Sequence, residues 1–212
     1  MRFALESENV SVLFPGLYRV QNGEGNAYVA GELRLTDESG LYIDSYSIKI
    51  ESTDLYPFRF PHVFETGDRI PINVDWHVFQ DGHCCIKSIP EEILLCKNGI
   101  TLPWFIETQV KPYFFNQKYR EIHGFFLRER AHGQRGIIEF FEETFGTTNL
   151  NEVIYGLQLV KSRNEPNRVS HCFCGSGLKY RKCHRTAYRL MSQFTNEELD
   201  YFIGLAKQSI KF

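Results

Sequence analysis

Thirteen residues near the C-terminus constrain this chain more than any other stretch: Cys172-Phe173-Cys174-Gly175-Ser176-Gly177-Leu178-Lys179-Tyr180-Arg181-Lys182-Cys183-His184. Three thiols and an imidazole occur there as Cys-x-Cys, eight residues, then Cys-His. Zn²⁺ favours four sulfur or imidazole-nitrogen ligands in a tetrahedron, and three thiolates with one His meet that demand as a closed site. Gly175-Ser176-Gly177 supplies a turn tight enough to bring the second pair of donors back over an ion. The spacing therefore marks Cys172, Cys174, Cys183 and His184 as zinc ligands. His171 precedes the first of them and is read as support or surface, because four better-spaced donors are already present. The competing reading is a set of buried thiols without metal.

The segment resembles the SEC-C motif, the small zinc module at the C-terminus of the SecA translocase motor and an appendage on many unrelated bacterial proteins. Cys172, Cys174, Cys183 and His184 fall on its four ligand positions, and Gly175, Ser176, Gly177, Lys179, Tyr180 and Lys182 also fit its pattern. The resemblance covers about residues 169 to 187. It implies Zn²⁺ and a style of partner recognition, and it leaves the role of the remaining chain open.

The net charge of −2 conceals an asymmetry. Residues 161 to 190 carry eight Lys or Arg and one acid, Glu165, a net +7, whereas residues 1 to 160 carry 14 basic and 22 acidic side chains, a net −8. A zinc-loaded Cys₃His site adds about −1, so the module remains a basic knob on an acidic body. Either a small fold leaves in water the charges it cannot bury, or the knob attracts an acidic protein or the ribosome; the second reading is slightly favoured. The acidity of the body argues against free DNA as a partner.

With 42% apolar residues, 18 Phe and 11 Tyr, the chain has material for an aromatic-rich core. No apolar run reaches the length of a membrane span. Glu6 and Glu8 stand where a secretory signal needs an apolar stretch. With Cys84, Cys85 and Cys96 as reduced thiols, the expectation is a cytoplasmic protein with no membrane partner.

Leu5 to Leu17 reads as a short helix ahead of a Gly-rich turn at Asn22-Gly23-Glu24-Gly25-Asn26. Ala27 to Thr36 and Leu41 to Glu51 alternate apolar and polar residues and read as strands about an Asp37–Gly40 turn. The corner from Tyr56 to Pro61 holds two prolines that exclude regular pairing, and His62 to Glu65 is a third strand. Three strands on short links form an antiparallel meander. Beyond residue 98 the period is helical, over Leu102–Gln117, Gly136–Phe145 and Asn149–Leu159. Ser162 to Ser170 is polar and contains Pro166, as a linker would. Thr195-Asn196-Glu197-Glu198 is a capping box that opens a last helix. Strands first and helices after give an α+β fold. The expected organisation is a main domain over 1–160, linker and zinc module over 161–190, and a C-terminal helix over 191–212.

The stretch from Ser47 to Ile86 resembles the ubiquitin-conjugating enzymes. In that family a strand runs into Tyr-Pro and a further Pro, followed by a strand, a His-Pro-Asn tripeptide and Gly-x-x-Cys-Leu with the catalytic Cys. Tyr56, Pro57 and Pro61 match the corner, His77 matches the tripeptide His, and Gly82 and Cys85 match the Gly and the nucleophile. The resemblance extends over about residues 25 to 115. It implies a meander packed with C-terminal helices, and a ubiquitin-like protein and its activating enzyme as partners. It also implies acyl transfer, in which the Cys85 thiolate takes the modifier's C-terminus as a thioester and a substrate amine then attacks it. His77, His83 and Lys87 are close in sequence and would favour the thiolate. Val78 and Phe79 stand where the family has Pro and Asn, and losing an amide donor to the thioester oxygen costs about 100-fold or more in rate. The span from His77 to Cys85 is also shorter than the family's. The alternative is a non-enzymatic adaptor in which Cys85 is a small buried side chain. Cys84, on the other face of an extended chain, and Cys96 are read as core.

A charged, glycine-punctuated segment runs from His123 to Gly136. His132 is a candidate base there, and Arg130 and Arg135 are candidate anion ligands at a helix start. A solvated connection is the favoured competing reading. A hydrolytic site at His123 and His132 lacks the carboxylate cluster it needs.

Overall fold

The computed structural model describes residues 2–21, 27–127 and 129–210. The fold is α+β. The chain forms two compact units, Met1–Lys87 with Leu95–Glu129 and Ser88–Leu94 with Arg130–Phe212.

The first unit is built on a four-stranded antiparallel meander: β1 (Leu17–Gln21), β2 (Ala27–Thr36), β3 (Tyr42–Glu51) and β4 (His62–Glu65), each paired with the next in chain order. Alternation places Val29, Leu33 and Leu35 of β2 on one buried face with Tyr46, Ile48 and Ile50 of β3, in a register that sets Leu33 opposite Tyr46 and Val29 opposite Ile50. The helix expected over Leu5 to Leu17 is not continuous, and its last residue, Leu17, opens β1. The chain instead forms α1 (Arg2–Ser7) and α2 (Val10–Leu13) and then enters the sheet at Leu17. Gly16 and Gly31 permit this, both with positive φ. A Cβ on Gly31 would lie 2.1 Å from the Gly16 carbonyl oxygen, so only glycine lets the two backbones approach so closely. The Gly16 carbonyl accepts the Glu32 N–H at 2.9 Å. The turn expected over residues 22–26 lies outside the described residues.

The single helix expected over Leu102 to Gln117 is α4 (Leu102–Phe105), a π turn over Ile106–Val110 and α5 (Lys111–His123). Pro112 accounts for the break. It has no N–H to donate, and in a regular helix its ring would strike the Thr108 carbonyl, so the preceding turn widens. These helices meet the sheet core through Phe114, 4.7 Å from the Tyr46 ring, and Phe105, 4.8 Å from Phe60. Glu6 ties α1 to the proline corner. Its carboxylate accepts the Tyr56 hydroxyl and, at 2.7 Å, the Leu102 N–H.

In the second unit α6 (Gly133–Phe145), α7 (Leu150–Lys161), α8 (Arg185–Met191) and α9 (Asn196–Ser209) surround a separate core, to which α3 (Ile89–Cys96) contributes Ile93. Phe141 lies 5.0 Å from Phe202, and Phe194 lies 5.2 Å from Phe202. The capping box ahead of α9 is formed on both sides: Glu198 N–H reaches Thr195 Oγ1 at 3.2 Å, and Thr195 N–H reaches the Glu198 carboxylate at 2.7 Å. Cys172 and Tyr180 are buried in the same core as α6 and α7. The helices assigned from sequence to the main domain therefore group with the cysteine segment. Arg163, in the expected linker, donates to the carbonyls of Ser192 and Phe194 at 2.7 Å each, which fastens that stretch to the turn before α9. Among the described residues no helix is long and apolar enough to cross a membrane.

A charged network closes one end of the sheet. Arg69 reaches Asp44 at 2.9 Å and Glu121 at 2.8 Å, Tyr46 donates its hydroxyl to Glu121 at 2.9 Å, and Lys118 reaches Asp44 at 2.8 Å. The hydrogen bond from Arg69 holds the Asp44 carboxyl well below the usual carboxylate range. A carboxylate whose folded-state pKa is depressed stabilises the fold above its unfolded value of about 4, and that stabilisation fades as pH falls toward the folded value. Asp44→Asn is expected to lose about 1 kcal/mol at pH 7 in urea unfolding, with the gap to wild type closing as pH drops below about 4.

Candidate metal centre

The cysteine segment folds as a miniature hairpin. Cys172 N–H donates to the Leu178 carbonyl at 2.8 Å, Tyr180 N–H donates to Ser170 at 2.9 Å, and His171 bridges Lys179. Gly175 and Gly177, both at φ +74°, form the turn at its tip. One tight helical turn over Tyr180–Lys182 then returns the chain, so that Cys183 and His184 arrive beside Cys172 and Cys174 just before α8 begins.

The donor atoms of Cys172, Cys174, Cys183 and His184 all lie within 4.8 Å of one another. His184 Nδ1 is 3.2 Å from both Cys172 Sγ and Cys183 Sγ, and Cys174 Sγ is 3.6 Å from Cys183 Sγ. Bonds of about 2.3 Å to sulfur and about 2.0 Å to nitrogen in a tetrahedron place sulfurs about 3.8 Å apart and sulfur about 3.5 Å from nitrogen. The observed separations fit one metal ion at the centre. The sulfur spacing is far beyond a disulfide bond. Cys172 is buried and the other three ligands are half-buried. His171 is exposed, with Nδ1 3.2 Å from the Gly177 carbonyl, and stays outside the cluster.

A hydrogen bond aims the imidazole. His184 Nε2 donates to the Phe145 carbonyl at 2.7 Å, which leaves the Nδ1 lone pair facing the sulfurs. Phe145 is the last residue of α6, and Gly146 follows it in the left-handed conformation at φ +63°. Its carbonyl is one of the acceptors that a helix end leaves open. Sequence reasoning missed this partner, because a backbone acceptor leaves no mark on residue identity; the helix stop at Gly146 was the only clue.

The thiols perturb one another. Burial raises the Cys174 thiol, but hydrogen bonds from Ser176 and the neighbouring thiols outweigh it and bring it down to about 6. Burial pushes Cys183 up to about 11, with Cys174 and Cys172 adding to the rise against Ser176. Three thiolates this close repel one another, and a bound cation is what allows all three to ionise together.

Of the other site residues from sequence, Cys85 and His77 belong to the first unit and His132 to the second. Cys85 lies where the chain runs back past Val78 and β4: its N–H donates to the His77 carbonyl at 2.7 Å, and Cys84 N–H donates to Val63 at 2.7 Å. The two cysteines differ in burial. Cys84 is buried, with burial pushing its thiol up to about 12, and Cys85 is half-buried. The His77 ring lies 4.7 Å from Phe126, and its carbonyl also accepts the Tyr113 hydroxyl at 3.0 Å. His132 is the residue ahead of α6, in the second unit, and makes no side-chain cap. Arg130 pairs with Glu143 at 2.8 Å and Arg135 with Glu142 at 2.8 Å. Both candidate anion ligands are thus engaged by carboxylates.

No family model matches the chain, and no curated protein matches it.

Gly156 of α7 gives a test of how the centre is supported. Alanine in a helix interior is ordinarily worth about 1 kcal/mol over glycine. A Cβ at Gly156 would lie 2.6 Å from the Phe145 ring, whose residue supplies the carbonyl that holds His184. Gly156→Ala is expected to lower the melting temperature and to speed metal loss to a chelator several-fold. A more stable variant with unchanged metal retention would contradict the coupling.

Proposed function

We propose that Cys172, Cys174, Cys183 and His184 hold Zn²⁺ as a closed structural site of the SEC-C kind. On this reading the chain is a cytoplasmic, non-enzymatic adaptor that docks an acidic protein or the ribosome through the basic surface of the zinc module. The observation that carries it is the convergence of three sulfurs and one imidazole nitrogen, with the opposite ring nitrogen held by Phe145. Thiolate-rich donors select Zn²⁺ over hard cations. Four protein ligands leave no position for water, so the ion organises the fold rather than catalysing.

The charge distribution supports the docking role. Arg185 and Arg189 share Glu165, and Lys161 pairs with Asp200. Arg168, Lys179, Arg181 and Lys182 are exposed and make no ion pair among the described residues. A surplus of this kind attracts acidic partners over a Debye length.

A second reading is transfer of a ubiquitin-like protein through Cys85. It is favoured by the chain order of the first unit: two short helices, a four-stranded meander with the Tyr56 corner between β3 and β4, then a half-buried Cys85 next to a buried Cys84. The missing amide at Val78-Phe79 weighs against it.

Elemental analysis of protein purified without chelator is expected to find one zinc per chain, and Cys174→Ser to lose most of it. Zinc affinity should rise with pH from about 5 to about 8, because each thiol must shed its proton to bind. For Cys85, the adaptor reading expects no thiol-labile adduct in lysate that contains an activating enzyme. An adduct on wild type that is absent from Cys85→Ser would establish transfer instead.

A further inference from the structure

α7 and the cysteine segment enclose a pocket of about 190 Å³ whose walls include Phe145, Glu152, Tyr155, Phe173, Cys174 and His184. Half of the eight lining residues carry rings: Phe145, Tyr155, Phe173 and His184. The Tyr155 and Phe173 rings are 5.9 Å apart at 58°, Phe173 and His184 are 5.0 Å apart at 33°, and Phe145 and His184 are 6.0 Å apart. Tyr155 is 52% exposed and Phe173 is half-buried, so these rings form an accessible rim rather than sealed core.

The charge lining the pocket is negative. Glu152 contributes a carboxylate, and Cys174 belongs to a thiolate centre that carries about −1 when loaded with a divalent ion. No Lys or Arg lines the pocket, although eight occur between residues 161 and 190. An anionic ligand would meet the Glu152 carboxylate with no cation to receive it. Glu152 is exposed and its carboxylate accepts a hydrogen bond from Asn149 at 3.1 Å, and a purely apolar ligand would gain nothing from the charge that remains.

We propose that this pocket binds an organic ammonium group of the quaternary or methylated type. Ring faces attract such a cation through their quadrupoles, and alkylated nitrogen sheds water more readily than a bare ammonium. Pockets for drug-sized ligands measure about 300 Å³ or more, so a volume near 190 Å³ admits one head group or the tip of one side chain. The ammonium belongs either to a methylated lysine on a partner protein or to a free small compound. One of the two negative charges rests on the metal reading; Glu152 and the rings stand without it.

Choline and its neutral carbon isostere, 3,3-dimethyl-1-butanol, provide the test on full-length protein of measured zinc content with labelled Tyr and Phe rings. Choline is expected to shift the Tyr155 and Phe173 resonances saturably, and the alcohol to bind at least about ten-fold more weakly. Glu152→Gln and Tyr155→Leu should each weaken choline at least about three-fold while zinc content stays at the wild-type level. A trimethyl-lysine peptide that displaces choline would assign the pocket to a protein side chain, and one that does not would assign it to a free compound. Equal binding of choline and alcohol, or no response to choline at any zinc content, would overturn the proposal. Discrimination that persists in zinc-free protein would uphold the pocket and count against the metal reading alone.

Discussion

The hydrogen bond from His184 Nε2 to the Phe145 carbonyl sets the direction of the metal centre. Without it the imidazole could turn either nitrogen toward the sulfurs. With it, Nδ1 faces Cys172 and Cys183, and the end of α6 gains the donor that its terminal carbonyl lacks. The same residue ties the centre to the helices, because the Phe145 ring rests against Gly156 of α7. A metal ion bound between Cys172, Cys174, Cys183 and His184 would therefore draw on the same contacts as the folding of the second unit. Cys172 and Tyr180 share a buried cluster with Phe141, Leu157 and Phe202, so losing an ion there would leave crowded, partly buried thiols beside an apolar core. In such an arrangement the free energy of ligation is in large part free energy of folding.

The first unit depends on different physics. Its sheet is held by apolar alternation and by one close backbone crossing at Gly16 and Gly31, and its edges are fastened by ionic and polar ties at Asp44 and Glu6. The Cys85 N–H donates to the His77 carbonyl, which fixes the backbone at that position. A thiolate nucleophile needs a cation or oriented hydrogen-bond donors near sulfur, and the adaptor reading needs neither. The basic surplus beyond residue 160 is partly consumed by Glu165 and Asp200, yet four exposed cations remain on and around the hairpin.

Sequence patterns were most legible where a local rule was sufficient. β2 and β4 fall on the expected residues because one face of each is wet and alternation shows directly. The four donors were legible because ligand spacing is a local property, as was the Thr195 box. β1 was hidden: Leu17-Tyr18-Arg19-Val20-Gln21 is short, and what places it in the sheet is a contact with Gly31, distant in sequence. The division of the chain was hidden for a similar reason. The charge shift at residue 161 is a property of the surface, whereas membership of a core is decided by the apolar faces of α6 and α7. Those faces announce burial without naming what they pack against. The break at the π turn was written in Pro112, but the helical period on either side of it masked the signal.

X-ray absorption at the zinc edge of natively purified protein interrogates the centre most directly. Three sulfurs at about 2.3 Å and one nitrogen at about 2.0 Å are the expected shell. A shell of oxygen and nitrogen alone, or protein with no zinc absorption at all, would contradict a closed site built from Cys172, Cys174, Cys183 and His184.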